Sequence, residues 1–177
     1  MPHQLIDKQV IFDGKKVRLE VHHFEDDQGK RLRREVCVHN GAVVVLAFPA
    51  PDTILLLRQK RHAVGQILLE LPAGTLEKGE NPMNCAGREL QEETGYLAAR
   101  MKPIGSFFSS PGILSEKMHA FVAFDLTKTH QALEEGEELE VSSVGFTEAI
   151  DMIRTGEIQD AKSIATLLMY EKFMHKI

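Results

Sequence analysis

Three carboxylates and one guanidinium, those of Glu89, Glu92, Glu93 and Arg88, fall within six consecutive positions of this chain. Asn81 suits an N-cap, Pro82 the first helical position and Gly95 the stop, so the spacing predicts a short capped helix that carries all four. Glu89 and Glu93 then stand one turn apart, and Glu92 lies about 60° to the side of Glu89. Met83, Ala86 and Leu90 cluster on a neighbouring apolar face. Like charges at these spacings destabilise an isolated helix by about 0.2–0.5 kcal/mol per pair, and hard divalent cations held by oxygen ligands remove that cost. The pattern points to a Mg²⁺ or Mn²⁺ site. The competing reading is a solvated surface helix in which Arg88 pairs with Glu92 at i,i+4.

The segment before the helix, Gly74-Thr75-Leu76-Glu77-Lys78-Gly79-Glu80, is a loop with two glycines, which lets backbone approach a ligand closely. The whole run, GTLEKGENPMNCAGRELQEETGY, follows the spacing G-x5-E-x7-R-E-U-x-E-E-x-G-U, with U a bulky aliphatic residue, and so resembles the signature of the Nudix hydrolases. Gly74, Glu80, Arg88, Glu89, Leu90, Glu92, Glu93 and Gly95 match, and only Tyr96 departs from it. The resemblance implies an α/β fold: an α/β/α sandwich around a mixed β-sheet. It also implies metal-dependent hydrolysis of a nucleoside diphosphate linked to another group. Metal would be held by Glu89, Glu93 and the backbone carbonyl of Ala73, with Glu92 a further candidate. Arg88 would orient the acids, and Glu80 would support the helix start.

Further along, Ser109-Ser110-Pro111-Gly112-Ile113-Leu114-Ser115-Glu116 is similar to the SPG-x-x-x-E run of the ADP-ribose pyrophosphatase branch. QKRHAVGQILLELPAG, ahead of the signature, and the C-terminal GEIQDAKSIATLL are similar to that branch as well. On this likeness Arg61, Glu70, Gly74, Pro111 and Glu116 are expected to serve substrate binding. Arg34 and Glu35 are expected to reach it across a homodimer interface; the plainer reading of the basic run around them is a solvated edge strand. Glu134, Glu135, Glu137, Glu138 and Glu140 form an acidic run interrupted by Gly136. By resemblance Glu135 is assigned as the base and Glu137 as an additional metal ligand, and a one-residue shift of the loop would exchange them. The implied substrate is ADP-ribose or a related nucleoside diphosphate sugar. GDP-mannose, flavin adenine dinucleotide, a dinucleoside polyphosphate, a non-catalytic ADP-ribose sensor and a structural metal protein are the alternatives.

These groups need a scaffold, and hydropathy supplies one. Val17, Leu19 and Val21 alternate with polar residues as in a half-buried strand, and the Asp26–Gly29 turn leads to a second strand over 32–38, a hairpin. Ala42-Val43-Val44-Val45-Leu46-Ala47 is continuously apolar, which predicts a strand buried on both faces, and Ile54–Leu57 reads as its antiparallel neighbour. Strands are further expected over 67–71, 104–108, 117–124 and 141–146. Helices are expected at 148–154 and beyond an Asp160 cap, with Ile164, Leu167 and Leu168 on one face. Residues 1–40 would form an N-terminal strand extension for dimerisation, and 41–177 the catalytic domain.

With 177 residues, 43% hydrophobic, the chain can bury a full core. A formal charge of −5 argues against nucleic acid as a partner. Cys37 and Cys85 are isolated, which fits a reduced cytoplasmic protein, and no apolar run approaches the ~20 residues that a membrane span requires.

Overall fold

A computed structural model describes residues 3–15, 17–133 and 138–174. The chain divides into two compact units, Met1–Gly41 with Phe108–Lys117, and Ala42–Phe107 with Met118–Ile177.

In the first unit, β1 (Gln4–Asp13), β2 (Arg18–Glu25) and β3 (Arg31–Val38) form an antiparallel sheet in that order. The expected hairpin is β2–β3. Its turn is set by the Asp26 side chain, whose Oδ1 accepts from the Gln28 and Lys30 amides at 3.0 and 2.8 Å, and by Gly29 at φ 76°. Strand β1 is not visible in the hydropathy pattern. Irregularities between Leu5 and Asp7 and between Val10 and Phe12 break the period of two, and all ten residues are exposed.

The second unit begins with β4 (Ala42–Ala47) and β5 (Thr53–Arg61), followed by β6 (Gln66–Glu70), β7 (Ala73–Thr75) and α1 (Pro82–Thr94). Then come β8 (Tyr96–Phe108), β9 (Lys117–Lys128), β10 (Leu139–Gly145), α2 (Phe146–Thr155) and α3 (Ala161–Phe173). One sheet runs β7-β4-β9-β8, with β4 parallel to β9 and antiparallel to β7; the other runs β10-β5-β6 and is antiparallel throughout. Strand β5 is therefore not the hydrogen-bonded neighbour of β4. The prolines at 49 and 51 shape a connection that carries the chain into the other sheet. An apolar run reports burial on two faces and carries no information about the partner strand.

That two-faced burial explains the composition of β4. Val43, Val45 and Ala47 pack with Cys85, Ala86 and Leu90 of α1, whereas Ala42, Val44 and Leu46 pack with Phe146 and Ala149 of α2, Ile158, and Leu167 of α3. The layers are the expected α/β/α sandwich around a mixed sheet. Two expected facial assignments differ. Met83 is exposed and Cys85 takes its place in the core; Leu168 is exposed while Leu167 is buried.

Helix α1 ends as its sequence dictates. Asn81 Oδ1 accepts from the Met83 amide at 2.9 Å, and Gly95, at φ 72°, donates its amide to the Gln91 carbonyl at 2.8 Å. Loss of the cap by Asn81→Ala is expected to cost about 1 kcal/mol. Leu90→Ala, at a site with 0% exposure, is expected to cost about 2–5 kcal/mol through the cavity it leaves. Urea unfolding of the two variants beside the parent protein measures both.

Candidate active site

The residues linking β6 to β7 meet the acidic face of α1 at one turn. The Pro72 carbonyl accepts from the Val45 amide at 2.8 Å, which pins the turn to the central strand. The next amide, of Ala73, donates to Glu93 Oε2 at 2.8 Å. At Gly74 a Cβ would overlap the carboxyl group of Glu89, so only glycine leaves room for that side chain. Glu89 and Glu93, one helical turn apart, thus converge on Ala73–Gly74.

Arg88 holds the surrounding acids. Its Nη1 donates to Glu89 Oε1 at 2.8 Å and to Glu92 Oε2 at 2.9 Å, while Nε and Nη2 each reach a Glu80 oxygen at 3.1 Å. Three carboxylates on one guanidinium is the charge-assisted arrangement that a planar donor fork permits. Glu80 also accepts from the Glu77 amide at 2.9 Å, and the Arg88 bond, with this one, holds its carboxyl down to about 2. The Cys85 thiol is pushed up to about 12 by burial, and then by Glu80. It stays protonated at neutral pH and is not a nucleophile.

Arg61 and Glu70 form a bidentate pair, Nε to Oε1 at 2.7 Å and Nη2 to Oε2 at 2.6 Å. Glu70 is 1% exposed and also takes Lys162 Nζ. Burial pushes its carboxyl upward, but Arg61 and Lys162 outweigh this and leave it below the usual range. Both of its oxygens are engaged by this protein's own cations, so Glu70 acts on the orientation of Arg61, whose side chain is 39% exposed. The contribution of Lys162 carried no signal in the sequence, because 92 positions separate it from Glu70.

The remaining expected substrate residues lie in the first unit. Arg34 and Glu35 are exposed on β3, and Arg34 Nη1 donates to the Arg33 carbonyl at 3.0 Å. The Ser109–Glu116 segment is clamped beside the end of β3. There the Cys37 amide donates to the Ile113 carbonyl at 2.8 Å, the His39 amide to Ser115 Oγ at 2.8 Å, and Glu116 stands 3.5 Å from His39 Nε2. Pro111 is exposed within it. Glu135 and Glu137 lie outside the described residues. Up to Leu133 the chain is tied to the end of α1: Gln131 Nε2 donates to the Glu93 carbonyl at 2.7 Å, and the Ala132 amide to the Glu92 carbonyl at 3.0 Å. The anchoring role of Gln131 was not expected from sequence.

Among the described residues no three His, Cys, Asp or Glu side chains are gathered as a ready-made metal cluster. The turn offers two carboxylates beside backbone oxygens, a hard donor set that suits Mg²⁺ or Mn²⁺ when water and substrate oxygens complete the coordination. Gly74→Ala is expected to displace the Glu89 carboxylate and weaken Mn²⁺ binding in a titration, with about 1–3 kcal/mol of overpacking cost in unfolding. Glu80 gives a separate pH signature. Its carboxyl drops from an ordinary 4.5 to about 2 on folding, so the stability it contributes is complete above pH 4.5 and is lost as pH falls toward 2. In acid melts, Glu80→Gln should flatten that decline.

The NUDIX domain model matches residues 38–167. The chain is 39% identical to an ADP-ribose pyrophosphatase of Bacillus subtilis (strain 168), over 92% of this chain and 89% of that protein. It is 37% identical to a methanol dehydrogenase activator of Bacillus methanolicus, over 97% and 95% of the two chains. A GDP-mannose pyrophosphatase of Shigella dysenteriae serotype 1 (strain Sd197) is 35% identical, over 86% and 84%. The crystal structure of an ADP compounds hydrolase superposes with a TM-score of 0.86 at 21% identity, covering 97% of this chain and 94% of the other, which speaks to the fold. With the signature residues gathered on a turn and helix as described, and with the domain model spanning most of its length, the chain belongs to the Nudix family.

Proposed function

We propose that this protein hydrolyses the diphosphate bond of ADP-ribose or a related nucleoside diphosphate sugar, giving a nucleoside monophosphate and a sugar phosphate. The observation that carries the reading is the convergence of Glu89 and Glu93 on the Ala73–Gly74 turn, with Arg88 bridging Glu80, Glu89 and Glu92. The names of the relatives, an ADP-ribose pyrophosphatase and GDP-mannose pyrophosphatases, support the substrate class. A sensor that only binds would not need the full acidic set.

Glu89, Glu93 and the Ala73 carbonyl would hold Mg²⁺, replaceable by Mn²⁺, with Glu137 as an additional ligand. Bound there, a divalent cation would screen the charge of the diphosphate and would lower the pKa of the attacking water. Arg88 fixes the carboxylates before substrate arrives, so little reorganisation is needed during the reaction. Arg61, oriented by Glu70, offers a cation to the substrate. Glu135 takes the proton from the attacking water, and Glu92 and Arg88 keep the acidic face in place. Arg34, Glu35, Pro111 and Glu116 contribute to substrate recognition.

We further infer a homodimer built through the N-terminal strands. In support, β1 exposes Leu5, Ile6, Val10, Ile11 and Phe12, an apolar strand surface that a monomer would leave in water. Two free cysteines and the absence of any helix long and apolar enough to cross a membrane, among the described residues, are in keeping with a cytoplasmic enzyme. Light scattering that gave a fully active monomer would overturn the dimer.

Incubation with ADP-ribose, GDP-mannose, flavin adenine dinucleotide and nucleoside triphosphates in Mg²⁺, with products resolved by chromatography, tests the substrate class. ADP-ribose should yield AMP and ribose 5-phosphate, and a chelator should abolish the reaction; cleavage of triphosphates alone would contradict it. Glu93→Gln should lower the rate and weaken metal affinity together, with partial rescue by added Mg²⁺. Glu135→Gln should lose about 10²–10⁴ in rate with no such rescue.

A further inference from the structure

The C-terminal segment GEIQDAKSIATLL resembles the ADP-ribose pyrophosphatase branch in sequence, yet none of its residues enters the acidic cluster itself. In the fold it forms the start of α3, and its first turn grips the strand that delivers Ala73. Asp160 Oδ2 accepts from the Ser163 amide at 3.0 Å and from Ser163 Oγ at 2.6 Å. Ser163 Oγ, with 0% residue exposure, in turn accepts from the Leu71 amide at 2.8 Å. Next door Lys162 binds Glu70, and also stands 3.0 Å from Asp160 Oδ2. Glu70, Leu71, Pro72 and Ala73 are consecutive, so a single helical turn fixes two adjacent positions just before the amide that binds Glu93.

Resting on the reading above, we propose that Ser163 and Lys162 are positioning residues of the active site. Ser163 sets the Leu71–Ala73 backbone against Glu93, and Lys162 sets Arg61 through Glu70. Neither touches a reacting atom. The path from Ser163 is short and stiff: its hydroxyl holds Leu71, the Pro72 carbonyl is held by Val45, and the Ala73 amide holds Glu93. The path from Lys162 is electrostatic. Glu70 carries one negative charge between two cations, and Asp160 balances the second, so the four charged groups sum to zero.

A hydrophobic anchor would hold α3 against the sheet equally well, and Leu167 already does so. What the polar contacts add is register. The Leu71 amide, two residues before Ala73, has one acceptor in a fixed direction, and without it the turn can shift by a fraction of an ångström relative to α1. For a metal site built from two side chains on a helix and a backbone turn on a strand, such a shift alters ligand spacing directly.

The test uses the full chain with Ser163→Ala, Lys162→Met and the charge-preserving Lys162→Arg. Mn²⁺ binding is followed by electron paramagnetic resonance, alongside hydrogen exchange at Leu71 and Ala73, thermal unfolding, and kcat and KM for ADP-ribose. Ser163→Ala should weaken Mn²⁺ binding by about 10-fold, the scale seen when groups that orient metal ligands are removed, and should speed exchange at both amides. Lys162→Met should raise KM more than it lowers kcat while leaving Mn²⁺ affinity near that of the parent, and Lys162→Arg should restore KM. Parent-like Mn²⁺ affinity in Ser163→Ala, together with an unchanged KM in Lys162→Met, would overturn the proposal even if both melt at lower temperature, because loss of fold stability alone predicts that result. If the parent cleaves no sugar nucleotide, the proposed substrate is wrong, and the Mn²⁺ and exchange measurements still decide the role of Ser163. Should Ser163→Ala not fold, the KM of Lys162→Met and its recovery in Lys162→Arg decide the matter.

Discussion

Carboxylates crowded onto one helical turn repel one another, and the structure depends on how that repulsion is held in check. Arg88 contributes one positive charge to three acids, spread over a rigid planar fork. The Ala73 amide contributes a dipole to the fourth acid, Glu93. A lysine would bring a point charge and no fork, and could not address Glu80, Glu89 and Glu92 in fixed directions. The acids are therefore kept apart at set positions. Such preorganisation is what phosphoryl chemistry asks of a protein that contributes little covalent chemistry of its own.

The rest of the second unit holds that arrangement still. Strand β4 is buried on both faces, with α1 on one side and α2 and α3 on the other. It fixes the Ala73–Gly74 turn twice over, by pairing with β7 and by the Val45 to Pro72 hydrogen bond. At Gly74 the absence of a side chain is itself a structural requirement, since the space belongs to Glu89. The helix start is set by Asn81 and Pro82 and its end by Gly95, so the acidic face cannot rotate or slide along the turn without losing a cap.

Local chemistry was the part most legible in sequence. The capped helix and the positions of Glu89 and Glu93 follow from spacing and turn chemistry over some twenty consecutive residues, whereas the role of Arg88 follows from the family resemblance. The two-faced burial of residues 42–47 followed from their unbroken apolar character. Pairing between strands was not legible, because β4 meets β9 more than seventy positions later and hydropathy does not name partners. Strand β1 escaped because its irregular register erases alternation. The burial of Glu70 between Arg61 and Lys162 is not legible in sequence, because Lys162 joins the pair from a helix 92 positions away. Cys85, and not Met83, fills the core position on the apolar face of α1, because the two stand about 160° apart round the helix and Met83, in its first turn, is exposed.

Glu89, Glu93 and the Ala73–Gly74 turn together form the proposed divalent-cation site. Anomalous diffraction from crystals soaked in Mn²⁺ addresses it without reference to any substrate. A peak is expected within about 2.0–2.3 Å of carboxylate oxygens from both glutamates and of the Ala73 carbonyl oxygen. A strong peak elsewhere, with this turn and both carboxylates lacking any metal, would contradict it.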